Sequence, residues 1–343
     1  MFHLNVAHPT TLTLIQSEWS RCLARGPVTS SDIKFDLHGE ESPLPNSFGY
    51  SLSSQITMRA IEQHSGRHLM FHAAGLADDR GRVVALVGPS GTGKTTAAHI
   101  LASHGWGYVT DETVAIDDDG RVIPYPKPLS LVDDPAHSGR KSQHSPDDLG
   151  LGPTPEDPVI ARLVLLERVR ERHIEPELTD VPLLDALLDL VPHTSALAQL
   201  GTPLQRLCRL VDRVGGVHRL TYSDVKSTDP LLAALMSDED FSTEPKWEAI
   251  QPAPPARPEP GVLTCGTFLD AVRVGGEGLV LVDRTPVRLS AVGLTLWRRA
   301  RTGATDQELL AAAVAEHGDH PGAATVLEEA VEAMVTAGLL VRN

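Results

Sequence analysis

The chain has 343 residues, 41% of them apolar and 4% aromatic, with a formal net charge of −15 at pH 7. That length supports two packed domains built on Leu, Val and Ala, while so acidic a balance excludes broad binding to nucleic acid or anionic membranes, both of which need a cationic face. Cys22, Cys208 and Cys265 lie far apart without metal-ligand spacing, no run approaches membrane-spanning length and no basic-then-apolar leader opens the chain, so a cytoplasmic protein with reduced thiols is expected.

Residues 1–52 hold short alternating segments, Phe2 to Val6 and Ile33 to Leu37 among them, that read as strands and turns. Residues 54–64 have helical spacing, residues 69–74 read as a strand carrying His72, and Asp78, Asp79, Arg80 and Gly81 form a tight turn. His64, His68 and His72 recur at the spacing of a helical metal site, but Gly66 and the strand-like run from Leu69 argue against one continuous helix.

The stretch that organises the chain comes next. Val83, Val84, Leu86 and Val87 make a buried strand, residues 95–100 begin a helix, and between them stand Gly88, four residues, then Gly93, Lys94 and Thr95. This is the phosphate loop G-x-x-x-x-G-K-[ST] in its strand and helix setting. Its backbone N–H groups turn on phosphate oxygens, aided by the positive end of the helix dipole. Gly88, Ser90, Gly91, Thr92, Gly93, Lys94, Thr95 and Thr96 are therefore the expected nucleotide contacts. Lys94 reaches the β and γ phosphates and the Thr95 hydroxyl ligates Mg²⁺.

Beyond the loop helix, residues 105–110 form a strand running into Asp111 and Glu112, and residues 113–116 continue extended. Asp117, Asp118, Asp119 and Gly120 predict a hairpin turn, where Asp bonds its own backbone. Residues 133–157, with Arg140 and Lys141, are polar and predict a long surface loop. Residues 161–167 predict a buried strand ending in Glu167, a second carboxylate that rivals Asp111 at the phosphate loop.

Thr202, Pro203 and Gln205 predict a helix start with a capping box, followed by the apolar stripe Leu204, Leu207, Val211 and Val214. Residues 218–224 alternate like a strand and Asp229-Pro230 opens a short helix. Residues 242–261 turn to proline, alanine and charge and read as a semi-rigid linker between a first domain, 1–241, and a second, 262–343. In the second domain strands are expected at 268–274 and 278–287, then a helix at 289–299 with Trp297. A capping box at Thr305 and Glu308 opens another helix, and a last one has Val326, Leu327, Ala330, Met334 and Val335 on its core face and stops at Gly338.

Two resemblances follow. A strand carrying His72, the loop Gly88 to Thr95, a helix ending in Gly105 and then Tyr108-Val109-Thr110-Asp111-Glu112 resemble the bacterial HPr serine kinase/phosphorylases over about residues 65–130. This chain has Glu112 where that family repeats Asp, and no stretch resembles the family's Glu-Leu-Arg-Gly signature. The resemblance implies ATP and Mg²⁺ as cofactors, Asp111, Lys94 and His72 as catalytic residues, and Mg²⁺ held by Thr95 and Asp111, while Glu167 stays the rival ligand from its place at a strand end. It also implies a homo-oligomer. The C-terminal part, through Leu279-Val280-Leu281-Val282-Asp283, Leu296-Trp297, Thr305-Asp306-Gln307-Glu308-Leu309 and Ala337-Gly338-Leu339-Leu340, resembles the PqqD family, which holds the leader of a precursor peptide.

The expected fold is thus α/β: a P-loop kinase-type sheet with flanking helices, plus a small α+β winged-helix-like C-terminal domain. The expected function is a kinase for a Ser or Thr hydroxyl of a ribosomally made precursor peptide, with no nucleic-acid or membrane partner. A peptide-stimulated NTPase and a nucleotide-regulated peptide-binding protein are the alternatives.

Overall fold

The computed structural model describes residues 2–24, 33–37, 48–132, 141–238, 244–251, 257 and 259–343. Parts of the expected linker (242–243, 252–256 and 258) and of the expected polar loop (133–140, with Arg140) lie outside the described residues. The chain forms a mixed α/β protein of two compact units. One comprises Met1–Val181, Pro192–Ala196 and Arg213–Ser242, and the other Pro182–Val191, Leu197–Asp212 and Thr243–Asn343. Among the described residues no helix is long and apolar enough to cross a membrane.

The first unit is organised by a nine-stranded sheet. Its order is Glu177–Val181, Val217–Tyr222, Val159–Arg168, Arg82–Val87, Leu69–Ala77, Thr113–Ile116 and Val122–Ile123, while Gly107–Thr110 and Thr194–Ser195 also pair with Leu69–Ala77. The phosphate-loop strand Arg82–Val87 runs antiparallel to Leu69–Ala77 and parallel to Val159–Arg168. Both central strands are near-continuous apolar runs because both of their faces are covered. On one face the helix Lys94–Ser103 lays Ala97, Ala98, Leu101 and Ala102 against Ala74, Leu76, Val84 and Leu86.

The expected strands Phe2–Val6 and Ile33–Leu37 form a parallel pair. The helix Pro9–Glu18 between them escapes the sequence reading, because its threonines are poor helix formers and only Thr11 and Ile15 are buried. The helix expected at 54–64 begins earlier, at Phe48. Within the expected polar loop, Lys141–His144 forms a strand paired with Leu129–Val132.

In the second unit Glu248–Ala249, Asp270–Val274, Glu277–Val282 and Thr285–Leu289 make an antiparallel sheet in that order. The turn between the last two has Asp283 at φ +53°, a left-handed conformation that Asp tolerates. Three helices follow, Ala291–Ala300, Asp306–His317 and Ala323–Thr336, and Leu340–Arg342 returns to pair with Leu263–Cys265. Trp297 is fully buried and meets the Phe268 ring edge-on at 5.0 Å. Leu289 closes a strand, so the helix expected to start there starts at Ala291, capped by the Ser290 hydroxyl.

The capping box at Thr305 and Glu308 forms as expected, and the last helix ends at Gly338 (φ +73°) with Leu339 N–H bonded to the Met334 carbonyl. Val326 is 60% exposed rather than in the core, since Leu327, Val331 and Met334 already fill that face. Gln205 is not turned back on Thr202. Its backbone N–H and side-chain amide both donate to Asp270, at 2.9 and 2.8 Å, because a buried carboxylate offers the stronger acceptor.

Candidate functional site

Strand register builds the site. Ala73 pairs with Val87, the last residue before the phosphate loop, and on its other side donates its N–H to the Glu112 carbonyl at 3.2 Å. Gly75 pairs with Thr110 and His72 with Thr113, and between those two pairings the chain bends at Asp111 and Glu112. Both carboxyls thus emerge two strand spacings from the phosphate loop, roughly 10 Å across the sheet.

The loop has the shape its glycines allow. Gly91 (φ +86°) and Gly93 (φ +98°) take left-handed backbone conformations, and a β-carbon at Gly88 would meet Thr92 Oγ1 at 3.0 Å. Lys94 is buried and its ammonium donates to the carbonyls of Gly88 (2.7 Å) and Pro89 (3.0 Å). Burial lowers its pKa, while the charges of Glu112 and Asp111 oppose that shift. Ser90 and Thr96 are exposed and Thr92 and Thr95 half-buried.

Asp111 is 3% exposed and forms an ion pair with Lys127, Nζ to Oδ1, at 2.8 Å. The Tyr108 hydroxyl stands 3.0 Å from the same Oδ1 and 3.0 Å from the Lys127 carbonyl. Burial, reinforced by the Asp111 charge, pushes the Tyr108 pKa far up and keeps this hydroxyl a proton donor. Lys127 is itself buried and reaches the Pro128 carbonyl at 3.1 Å and Glu112 Oε2 at 3.8 Å. A buried ion pair is tolerable when further hydrogen bonds surround it, as here.

Glu112 lies at the edge of this core, half-exposed, with His72 beside it. His72 Nδ1 is 3.1 Å from the Glu112 carbonyl and 3.6 Å from Oε1. A carbonyl only accepts, so Nδ1 carries the hydrogen and Nε2 presents a lone pair in the neutral ring. Burial first, and then the Lys94 charge, lower the His72 pKa, which favours that neutral form. His72 is therefore positioned by Glu112, and Asp111 by Lys127.

Glu167 occupies different ground. Strand alternation turns Leu166 into the core under the phosphate-loop helix and leaves Glu167 exposed on the other face, 3.5 Å from Arg219. Asp117 and the His64–His68 pair have local explanations. Asp117 Oδ1 accepts from the N–H groups of Asp119 and Arg121 as turn chemistry requires, while His64 ends a helix and lies 3.2 Å from His68.

Four side chains at the site escape the sequence reading. Lys127 is one; its only local signal is the rigid Pro126-Lys127-Pro128 frame. The others surround the loop from the parallel strands. Arg170 donates to the Gly91 carbonyl and the Tyr222 hydroxyl to the Thr92 carbonyl, and a β-carbon at Gly93 would stand 3.6 Å from Arg168 Nη1. These residues lie at or just past the carboxyl ends of strands flanking the loop, the place where parallel sheets bind ligands.

The residues present suit a nucleoside triphosphate with Mg²⁺. Left-handed glycines shape a cradle, a buried ammonium is held by the loop's own carbonyls, two arginines add positive charge, and hard oxygen donors stand on Thr95, Asp111 and Glu112.

No family model matches the chain. No curated protein matches it either. Among solved structures it is similar to the HPr(Ser) kinase/phosphatase from Coxiella burnetii, with a TM-score of 0.29 and 13% identity over 48% of this chain and 92% of that one.

Proposed function

We propose that the protein is an ATP-dependent kinase that phosphorylates a Ser or Thr hydroxyl of a precursor peptide, whose leader is held by the second unit. The observation that supports it best is the pairing of a phosphate loop with a buried, oriented carboxylate, Asp111, one strand beyond Ala73. ATP with Mg²⁺ would supply the phosphoryl group. Phosphoryl transfer rests mainly on positioning and charge neutralisation. Lys94, Arg168 and Arg170 would supply positive charge around the γ-phosphate, and the Thr95 hydroxyl would ligate the metal.

The acceptor oxygen attacks the γ-phosphorus, the bond to the β–γ bridging oxygen breaks and its electron pair leaves with the diphosphate, and the hydroxyl proton passes to a carboxylate. Both the Lys127 and Tyr108 contacts fall on Asp111 Oδ1, which leaves Oδ2 to take that proton or a metal-ligand position. Neutral His72, fixed by the Glu112 backbone carbonyl, would stand beside the second carboxylate with its Nε2 lone pair free. In the second unit Thr285–Leu289 is an outer strand of its sheet, a surface suited to leader binding by strand addition. Tethering raises the effective concentration of a flexible acceptor.

Intact-mass analysis of the peptide encoded beside the gene, incubated with protein, Mg²⁺ and ATP, tests this. The expected result is a gain of one phosphate, reduced about 10²- to 10³-fold in rate by Lys94→Ala and abolished by Asp111→Asn. Nucleotide consumption without mass gain would refute phosphoryl transfer to peptide and favour the peptide-stimulated NTPase.

A further inference from the structure

We infer that a second, apolar cavity in the first unit receives the apolar side chains flanking the acceptor hydroxyl, so that the substrate class is a peptide whose Ser or Thr sits among apolar residues. This rests on the kinase reading above. The cavity measures about 620 Å³, within the range of small-molecule and side-chain pockets. Its walls come from Trp19, Ile56, Ala60, Met70, Thr113 and Tyr125, and among the described residues no carboxylate lines it. Arg21, at its rim, is committed to Asp147 and to the carbonyls of Leu151 and Gly152.

Register connects this cavity to the carboxylate site. Met70 pairs with Ala115 and His72 with Thr113, and cross-strand partners share a face. Along one face of a single strand there are therefore Met70 in the cavity floor, His72 in the site, and Ala74 beneath the phosphate-loop helix, each about 7 Å from the next. Thr113, which lines the cavity, follows Glu112 directly in the chain. On the far wall Tyr125 stands two residues before Lys127. Burial pushes the Cys22 thiol in that wall up to about 12, with the Lys127 ammonium opposing, so the wall lies within electrostatic reach of the Asp111 ion pair.

One polar group in the cavity wall has no assigned partner. Trp19 is 5% exposed, and its indole N–H makes no hydrogen bond among the described residues. A buried indole N–H ordinarily finds an acceptor. That nitrogen is itself shielded from the cavity, so the Trp19 ring offers a bound peptide apolar contact. The Thr57 and Tyr125 hydroxyls satisfy each other at 2.9 Å, and Gln16, His64, Thr113 and Thr154 add polar groups to an otherwise mainly apolar lining.

The test uses the full chain and the neutral fluorophore prodan as cavity probe, displaced by acetyl-Leu-Ser-Phe-amide, acetyl-Asp-Ser-Asp-amide or decanol. The apolar peptide is expected to displace prodan about tenfold better than the acidic one. Ala60→Trp, which fills the cavity, and Leu12→Asn at its partly exposed rim are each expected to weaken prodan binding, the first by about tenfold, with binding of a fluorescent ATP analogue unchanged. Prodan binding insensitive to both variants, equal displacement by the two peptides, or displacement by decanol but not by the apolar peptide would each overturn the inference. Peptide displacement as expected with no phosphate gained from ATP would refute the kinase reading and leave the cavity's peptide preference standing. Phosphate transfer at equal kcat/KM to apolar and acidic peptides would do the reverse.

Discussion

The two units treat charge in opposite ways. In the first, Lys94, Asp111 and Lys127 are buried among the partners described above, and Arg162 is buried with its guanidinium donating to the carbonyls of Leu235 (3.1 Å) and Ala161 (2.9 Å). In the second, Trp297, Leu296 and Leu309 fill the core while the arginines stay outside: Arg288 bridges Glu277 and Asp185, Arg299 meets Glu308, and Arg342 bridges Asp306 and Glu332. Asp270 is a buried acid there, and it serves to hold Gln205. Desolvating a charge costs several kcal/mol, so a fold keeps one inside where its placement matters more than its cost. The contrast separates a unit arranged around polar chemistry from one arranged around packing.

Lys127→Met tests the contrast most severely. It strands the Asp111 carboxylate without its cation and is expected to lower stability by about 3–5 kcal/mol in urea denaturation. A loss well under 1 kcal/mol would mean that Asp111 is not held as an anion by Lys127. Asp270→Ala in the second unit removes one acceptor from the Gln205 backbone N–H and is expected to cost less, about 1–3 kcal/mol in the same measurement.

His72→Gln should have the smallest effect, visible mainly in pH dependence. Burial holds the folded His72 pKa below its unfolded value of about 6.5, so the unfolded chain takes up the proton first as pH falls. Wild-type stability is therefore undiminished by His72 above that pH and declines as pH drops through the folded pKa. The variant should show a smaller fall in Tm between pH 7 and pH 5, over the common slope from His64, His99 and His218, whose pKa values burial also lowers. Equal falls in both proteins would show that His72 is not kept neutral.

What could be read in the sequence was local. The phosphate loop, the Asp111-Glu112 step, the Asp117 turn and the Thr305 capping box each depend on residues a few positions apart, and all took the expected local form. What escaped depended on distance along the chain. Nothing near Lys127 says that Asp111 will sit against it across the sheet, and nothing near Gln205 announces Asp270. Arg168 and Arg170 look like surface arginines after a strand until parallel pairing carries them over the loop. Glu167 shows the same limit: one step of strand alternation decides which face it takes, and it ends exposed beside Arg219.

The register around Ala73 also bears on the order of assembly. The antiparallel ladder that joins His72, Asp111 and Val87 pairs Ala73 with Val87 across one tight turn and His72 with Thr113 across the phosphate-loop strand and helix, whereas the parallel contact of Ala85 with Leu163 must enclose a longer segment still. Closing the larger loop costs more entropy, and non-local pairing is slow. The acidic side of the site can thus form early, and the arginine side arrives with the last strands. Nucleotide added during refolding should speed none of the early phase and trap the chain only after that closure, which makes phosphate binding a reporter for completion of the sheet.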